Sequence, residues 1–187
     1  MDRTYYLAID IGASSGRHIL GHLEDGKMVL HMQTELMDEI IVEAVQHISK
    51  RGMEHKIVIE DGEELILAKM DGRLIVQVLI NLIDNAIKYT PKGTEIRIHT
   101  KKEKDWIYVE VIDTGDGISD IEKIRVFEMF YTGSNVIADG RRSIGLGLFL
   151  CKSIIEAHGG TLLLYDNIPH GCVFQFTLPA GEVNLHE

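Results

Sequence analysis

Apolar and polar positions change their period several times along the chain, and each change predicts an element. Residues 4–11 (Thr-Tyr-Tyr-Leu-Ala-Ile-Asp-Ile) read as a strand, and Gly12-Ala13-Ser14-Ser15-Gly16 as a turn. Arg17 to His22 and Lys27 to Leu30 read as two short strands around Glu24-Asp25-Gly26. From about Glu35 to Arg51 the period becomes helical: Leu36, Ile40, Ile41, Ala44, Val45 and Ile48 fall on one side, and Gly52 stops the run. A strand at Lys56–Ile59, the turn Asp61-Gly62 and a strand at Leu65–Ala68 follow. Asp71 stands as the cap of a long helix from Arg73 to Tyr89, ended by Pro91 and Lys92-Gly93. Glu95–His99 and Trp106–Ile112 alternate like a hairpin pair. Asp113 to Ile144 is glycine-rich and loop-like, with room for a short helix at about Asp120–Phe130. A helix at about Leu146–His158 ends at Gly159-Gly160, and strands at Thr161–Tyr165 and Cys172–Leu178 complete the chain.

From residue 33 the order is helix, two strands, helix, two strands, loop, helix, two strands. Hairpin-spaced pairs with few βαβ units predict an α+β fold with helices on one face of a mixed, mainly antiparallel sheet. The 187 residues suffice for one domain with a short appendage. Lys plus Arg number 19 against 29 Asp plus Glu, a net charge of −10, which argues against a general binder of nucleic acid or anionic lipid and leaves room for a local basic site for a small phosphate ligand. No apolar run reaches the ~18 residues of a membrane span. Cys151 and Cys172 form no Cys-x-x-Cys, which excludes a disulfide framework and fits a reducing cytosolic setting.

The helix Arg73–Tyr89 is the most informative segment. At about 100° per residue, Gln77, Asn81, Asp84, Asn85 and Lys88 fall within an arc of roughly 100°, opposite an apolar side. Asn is a poor helix former, so two of them one turn apart cost stability. One reading is a solvated face that happens to carry Asn. The other is a metal-and-phosphate face: an Asn carbonyl is a hard ligand suited to Mg²⁺, and Lys88 can meet a phosphate oxygen as a point charge. Downstream, Asp113-Thr-Gly115-Asp-Gly117 follows a strand directly. Its glycines allow close ligand approach, and Asp113 can accept a hydrogen bond such as that of an adenine amino group; the plain alternative is a tight turn. Ser143-Ile144-Gly145-Leu146-Gly147-Leu148 opens the last helix, where free amides make an anion site, or where small residues merely permit packing. Between the loops, Val126 to Tyr131 suggests a lid whose aromatic side chains dock on the body. Arg141 and Arg142 are placed to reach phosphates on closure, or simply to be solvated. There is no G-x-x-x-x-G-K-[ST] and no complete G-x-G-x-x-G after a strand.

The order of these pieces resembles the GHKL ATPases, and most closely the catalytic ATP-binding domain of sensor histidine kinases. Gln77 to Thr90, with Asn81 and Asn85, resembles the N box; Asp113 to Gly117 the G1 box; Phe127-Glu-Met-Phe130-Tyr131 the F box; Gly145-Leu-Gly147-Leu the G2 box; and Ala157-His-Gly-Gly160 with Gly171 to Pro179 the closing strands. The likeness covers about residues 33–179. Arg141 to Leu148 with Leu150-Cys-Lys-Ser-Ile looks like the KdpD-type potassium sensor kinases. The resemblance implies a Bergerat-type two-layer sandwich whose sheet carries three helices on one face. It implies ATP and Mg²⁺ as cofactors, with Asn85 holding Mg²⁺, Lys88 on the phosphates and Tyr89 flanking the nucleotide. Asp113 would read the adenine in a pocket shaped by Gly115, Gly117 and Ile118. Gly145, Leu146, Gly147 and Leu148 would admit the phosphates beneath a lid that includes Phe130, Arg141 and Arg142. Hydrolytic relatives carry a glutamate base where Asn81 stands, and an amide cannot take a proton from water. This favours phosphoryl transfer to a protein side chain, by positioning and charge neutralisation. Two departures stand out. Arg142 and Ser143 occupy usual glycine positions, which implies a stiffer lid or a different ATP-bound geometry, and Thr132 replaces an arginine often found after the F box.

None of the nine histidines sits in an H box, the setting of the family's phosphoacceptor. His158, at a helix end, reads as a partner of the C-terminal dipole. The expectation is an ATP-binding domain separated from its dimerisation and acceptor helices, acting on a histidine outside this chain. It would signal to a response regulator from the cytoplasmic part of a membrane-anchored bacterial sensor. A GHKL serine kinase of a regulatory partner, and a nucleotide-binding module inactive in isolation, are the alternatives; Asn81 argues against an ATPase clamp. Residues 6–17 resemble instead the opening of FGGY-type sugar kinases, especially rhamnulokinases, and His31-Met32 is what a common cloning site encodes. Residues 1–31 are therefore expected to be a foreign or expression-derived β-rich leader, or else a natural hairpin pairing with a sheet edge, and 32–187 the catalytic domain.

Overall fold

The computed structural model describes residues 4–10, 18–24, 27–48, 54–60, 65–131 and 145–181. Strands β1 (Thr4–Asp10), β2 (His18–Glu24) and β3 (Lys27–Met28) form a small antiparallel sheet in that order, as the opening pattern predicts. The turns at 11–17, 25–26 and 61–62 lie outside the described residues.

The main sheet has five strands in the order β5 (Lys56–Ile59), β7 (Glu95–Glu103), β8 (Trp106–Ile112), β10 (Cys172–Pro179) and β9 (Leu162–Asp166). Only β5 and β7 pair in parallel; the other neighbours are antiparallel. One register row, Ile59–Ile98–Val111–Phe174–Leu164, crosses all five strands on the face that meets the helices. The opposite face carries His99, Glu110 and Gln175, with Glu60 bonded to both Arg97 and His99 at 3.1 Å and Gln175 to Glu110 at 2.6 Å. Period-two alternation thus separates a dry face from a polar one.

Helices α1 (Met37–Ile48), α2 (Gly72–Tyr89) and α4 (Gly147–Ala157) cover the dry face, with α2 in contact with both of the others. The core runs through Met37, Ile41, Ile48, Ile75, Leu79, Leu82, Ile83 and Phe176, all essentially inaccessible. The short helix α3 (Asp120–Arg125) buries none of its residues. Ser119 caps it, and Lys123 ties it to Asp166 at 2.6 Å and to Asp120 at 2.8 Å. Among the described residues, no helix is long and apolar enough to cross a membrane.

Several boundaries differ from the sequence reading. The first helix starts at Met37, because Glu35 and Leu36 belong to strand β4 (Gln33–Leu36), which pairs antiparallel with β6 (Leu67–Met70). The strand read at 65–68 accordingly lies two residues later. β7 continues to Glu103 across a stretch of charged residues, because Lys101 and Lys102 find partners in Tyr108 and Ile107. The helix in the glycine-rich stretch stops at Arg125, short of the F-box aromatics. Asp71 precedes α2 as expected, but its carboxylate makes no capping bond. It accepts instead from the His31 backbone amide at 2.9 Å.

Candidate nucleotide site

The polar stripe of α2 is not a solvated face. Asn81 is 8% exposed, and Gln77, Asp84, Asn85 and Lys88 are half-buried. Helix α4 runs antiparallel to α2: its first residue, Gly147, lies against Asn81, and His158 at its end meets Asp71 at the start of α2. A Cβ at residue 147 would stand 2.7 Å from both side-chain heteroatoms of Asn81, so the small residue lets the helices close. Asn81 Nδ2 donates to Cys151 Sγ at 3.2 Å. Burial pushes the thiols of Cys151 and Cys172 up to about 12, so both stay protonated.

Leu146 offers no side-chain cap to α4, and the first amides of a helix lack intrahelical acceptors. Those amides therefore face out beside Asn81, at the positive end of the helix. Gly145 has φ +70°, and a Cβ there would collide with the Tyr131 carbonyl oxygen, so glycine is required on both counts. Phe130 N–H donates to the Gly145 carbonyl at 3.1 Å, which brings the end of the F-box segment to this loop. That segment docks through Phe127, which packs on the core, and through Tyr131, half-buried beneath the Arg125 guanidinium at 4.6 Å. Phe130 itself departs from the expectation that the aromatics dock: it is 64% exposed, with φ +64°.

The other glycine loop lies at the far end of α2. Gly115 sits against Thr90 and the Tyr89 carbonyl, with little space for a side chain. Asp113 is 7% exposed at the end of β8. Its Oδ1 accepts from Gly115 N–H at 2.9 Å and Cys172 N–H at 3.2 Å. Burial raises its pKa more than these two bonds lower it. Two residues not singled out from sequence brace the loop: Asn167 donates to the Asp113 carbonyl at 2.8 Å and His170 Nδ1 lies 3.1 Å from the Gly115 carbonyl, while Gly171, read as the start of the closing strands, passes close beneath Asp113. The turn signal Pro169-His-Gly171 marks this connection without showing what it supports. Ile118 and Leu148 rest on the core.

Asn81 and Tyr89 are about 12 Å apart along the helix axis. Asn85 and Lys88 therefore lie between the glycine loop at 145–148 and that at 113–117, with Lys88 Nζ 4.9 Å from the centre of the half-exposed Tyr89 ring. The structure thus gathers Asn81, Asn85, Lys88, Tyr89, Asp113, Gly115, Gly145 and Gly147 around one side of α2. Arg141, Arg142, Thr132 and Ser143 lie outside the described residues. His158 meets the C-terminal end of α4, as expected, through a backbone carbonyl of its last turn. It is 5% exposed, Nδ1 lies 2.7 Å from the Ile154 carbonyl and Nε2 faces the Asp71 amide at 3.1 Å, and burial lowers its pKa. A separate groove of about 420 Å³, lined by His31, Gln33, Glu35, Asp71, Gly72 and Arg73, opens at the opposite end of α2.

Comparison with known proteins agrees with this geometry. The profile of the histidine kinase-, DNA gyrase B- and HSP90-like ATPases matches residues 70–182. The sensor protein KdpD of Clostridium acetobutylicum is 42% identical over 156 residues, which cover 83% of this chain and 17% of that protein. KdpD of Escherichia coli is 31% identical over 160 residues, 86% of this chain and 18% of that protein. The chain thus spans about a sixth of the length of these relatives. Among solved structures, the nucleotide-free catalytic domain of histidine kinase ThkA aligns with a TM-score of 0.70 at 29% identity, covering 80% of this chain and 97% of that domain. ThkA in complex with the response regulator TrrA aligns at 0.68 and 30% identity, covering 82% and 43%. The likeness of residues 6–17 to sugar kinases gains no support from these proteins. With the profile spanning the long helix, both glycine loops and four of the five strands of the main sheet, the chain belongs to the histidine kinase-, DNA gyrase B- and HSP90-like ATPase family, and within it to the catalytic ATP-binding domains of sensor histidine kinases.

Proposed function

We propose that this domain transfers the γ-phosphoryl group of ATP to a histidine outside the chain, with the product signalling to a response regulator. The observation that carries the reading is the placement of Asn85 and Lys88 between two glycine loops, with an amide rather than a carboxylate at residue 81. Asp113 would accept the adenine amino hydrogen bond, beside Gly115, Gly117, Ile118 and Tyr89. Leu146, Gly147 and Leu148 would present backbone amides to the phosphates, with Gly145 admitting them and Lys88 meeting a phosphate oxygen. By the family resemblance, Phe130, Arg141 and Arg142 would belong to a lid over the phosphates.

Among the described residues no three His, Cys, Asp or Glu side chains converge to hold a metal ion. A neutral, half-buried amide such as Asn85 suits Mg²⁺ that arrives with its nucleotide, since that ion takes one or two protein oxygens and fills its shell with phosphate and water. When bound, Mg²⁺ supplies charge neutralisation on the phosphates. Asn81 cannot deprotonate water, and its side chain is committed to the α2–α4 contact, which supports transfer over hydrolysis.

The KdpD relatives support a place among potassium-type sensor kinases, and the ThkA–TrrA complex supports a response regulator as the downstream partner. The need for ATP supports a position on the cytoplasmic side of the membrane. Dimerisation and phosphoacceptor helices would be supplied by other segments of the full kinase. Residues 32–187 are read as the catalytic domain and 1–31 as a leader without a catalytic role. Calorimetric titration with a non-hydrolysable ATP analogue, with and without Mg²⁺, tests the site. The native chain binds, and Asn85→Ala loses about tenfold or more in affinity together with most of the dependence on Mg²⁺. An unchanged affinity and metal dependence in Asn85→Ala would overturn the assignment. Adding an H-box helical hairpin in trans with labelled ATP tests the transfer: phosphohistidine forms on the hairpin and none on this chain.

A further inference from the structure

Helices α2 and α4 carry opposite halves of the phosphate end of the site: Asn81, Asn85 and Lys88 on one, and the free amides at 147–148 on the other. The distance between those halves depends on how far one helix slides along its neighbour. Both helices feed the apolar core, α2 through Val78, Leu79 and Leu82 among others and α4 through Ile154 and Ile155, and apolar attraction has no direction of its own. The Asn81–Cys151 contact uses a sulfur acceptor, and Cys151 Sγ reaches the Val78 carbonyl only at 3.8 Å. A nitrogen acceptor serves at the opposite end, where Asp71 N–H donates to His158 Nε2 at 3.1 Å in a buried setting.

His158 is itself fixed. Its Nδ1 lies 2.7 Å from the Ile154 carbonyl of the preceding helical turn, so that nitrogen carries the proton and Nε2 is left as an acceptor. Asp71 is fixed too: it is 2% exposed, its Oδ2 accepts from the His31 amide at 2.9 Å, and its Oδ1 lies 3.6 Å from Arg73 Nε. One imidazole thus clamps the end of α4 to the start of α2, about 21 Å along the helix axis from Asn85. Resting on the nucleotide site proposed above, we propose that His158 is a positioning residue that pins the axial register of α4 against α2, and so sets the gap between Asn85 and the phosphate-facing amides of residues 147–148.

The two amide substitutions separate this role from simple core packing. In His158→Gln the side-chain carbonyl reaches the place of Nε2 and accepts from Asp71. In His158→Asn the amide keeps the bond to Ile154 but falls short of Asp71, leaving a buried donor without a partner. Calorimetric titration of the full chain with the Mg²⁺ complex of a non-hydrolysable ATP analogue is expected to show affinity about tenfold weaker in His158→Asn, at temperatures where it remains folded, and restored to within about threefold in His158→Gln. Equal affinities in the native chain and His158→Asn would overturn the proposal while leaving the site reading intact. Absence of any binding by the native chain would overturn both. Should His158→Asn fail to fold, the backbone amide of Asp71 in the native chain decides by nuclear magnetic resonance. The resonance shifts on addition of nucleotide if the register is coupled to the site, and an unmoved resonance overturns the coupling.

Discussion

In the role proposed for Asp113, one buried side chain would serve binding at the expense of folding. Its raised pKa means that the folded state holds the proton more tightly than the unfolded chain does. The stability contributed by this group is therefore present below the ordinary aspartate pKa and is lost as the pH rises through the raised one. Nucleotide binding has the opposite sign. The ionised carboxylate takes two backbone amides on Oδ1 and would leave Oδ2 for an adenine amino group, whereas protonation puts a donor among donors. As pH falls through the raised pKa, affinity for the ATP analogue should fall while the contribution of Asp113 to stability rises. Asp113→Asn should bind at least about tenfold more weakly at neutral pH, yet melt no lower than the native chain, because the buried charge is gone. Parallel calorimetric and thermal titrations of native and Asp113→Asn protein isolate this group from His158, whose lowered pKa makes its own contribution decline as pH falls below the ordinary histidine range. Of the residues proposed to face the ligand, Asn85 stood out because Asn is a poor helix former and Asp113 because it ends a strand just before two glycines, whereas Lys88 suits the last turn of a helix and stood out only by sharing the face of Asn85. Asn167 and His170 did not stand out, because Asn and His in a turn are ordinary. What distinguishes them is the backbone they reach, 54 and 55 residues away in sequence.

At the scale of elements, reading succeeded wherever a local period decides the structure and failed where a distant partner does. Helices α2 and α4 and strands β8 and β10 lie within two residues of their predicted limits, since each carries its own apolar repeat. The second half of strand β4, Glu35 and Leu36, was read as the start of a helix. Leu36 fits the spacing of Ile40 and Ile41 equally well in either state, and only pairing with β6, some thirty residues later, draws it into a sheet. The connection between β9 and β10 is a second case. Its Gly171 adopts φ +113°, and a Cβ there would collide with the Asp113 carbonyl oxygen and lie 2.8 Å from Thr114 Cα. Gly171→Ala combines a strained backbone with a push on the loop that carries Asp113. It should cost about 3 kcal/mol in denaturant unfolding and abolish measurable nucleotide binding at concentrations that saturate the native chain. A variant that melts normally and still binds would show that the loop tolerates displacement.

For the molecule as a whole, the two-layer plan followed from the order of elements, but the way the first thirty residues join it did not. The sequence marks a boundary at His31-Met32, where one resemblance ends and another begins. Physical contacts draw it differently. Met28 and Leu30 pack against the margin of the core, and the His31 amide donates to the buried Asp71 carboxylate beside the start of α2. A cut after residue 31 thus removes apolar contacts and leaves a buried carboxylate with one donor fewer, at the same place where His158 clamps α4. A cut after residue 26 removes β1 and β2 and leaves those contacts in place. Deleting residues 2–26 should leave nucleotide affinity within about twofold of the native value and shift stability little. Deleting 2–31 should cost about 2 kcal/mol, in proportion to one buried charge-assisted hydrogen bond and two partly buried side chains. Thermal melts and nucleotide titrations of the two truncated chains provide the check. If both deletions behave alike, the residues just before β4 contribute nothing to the domain, and the boundary lies where the sequence resemblance alone would put it.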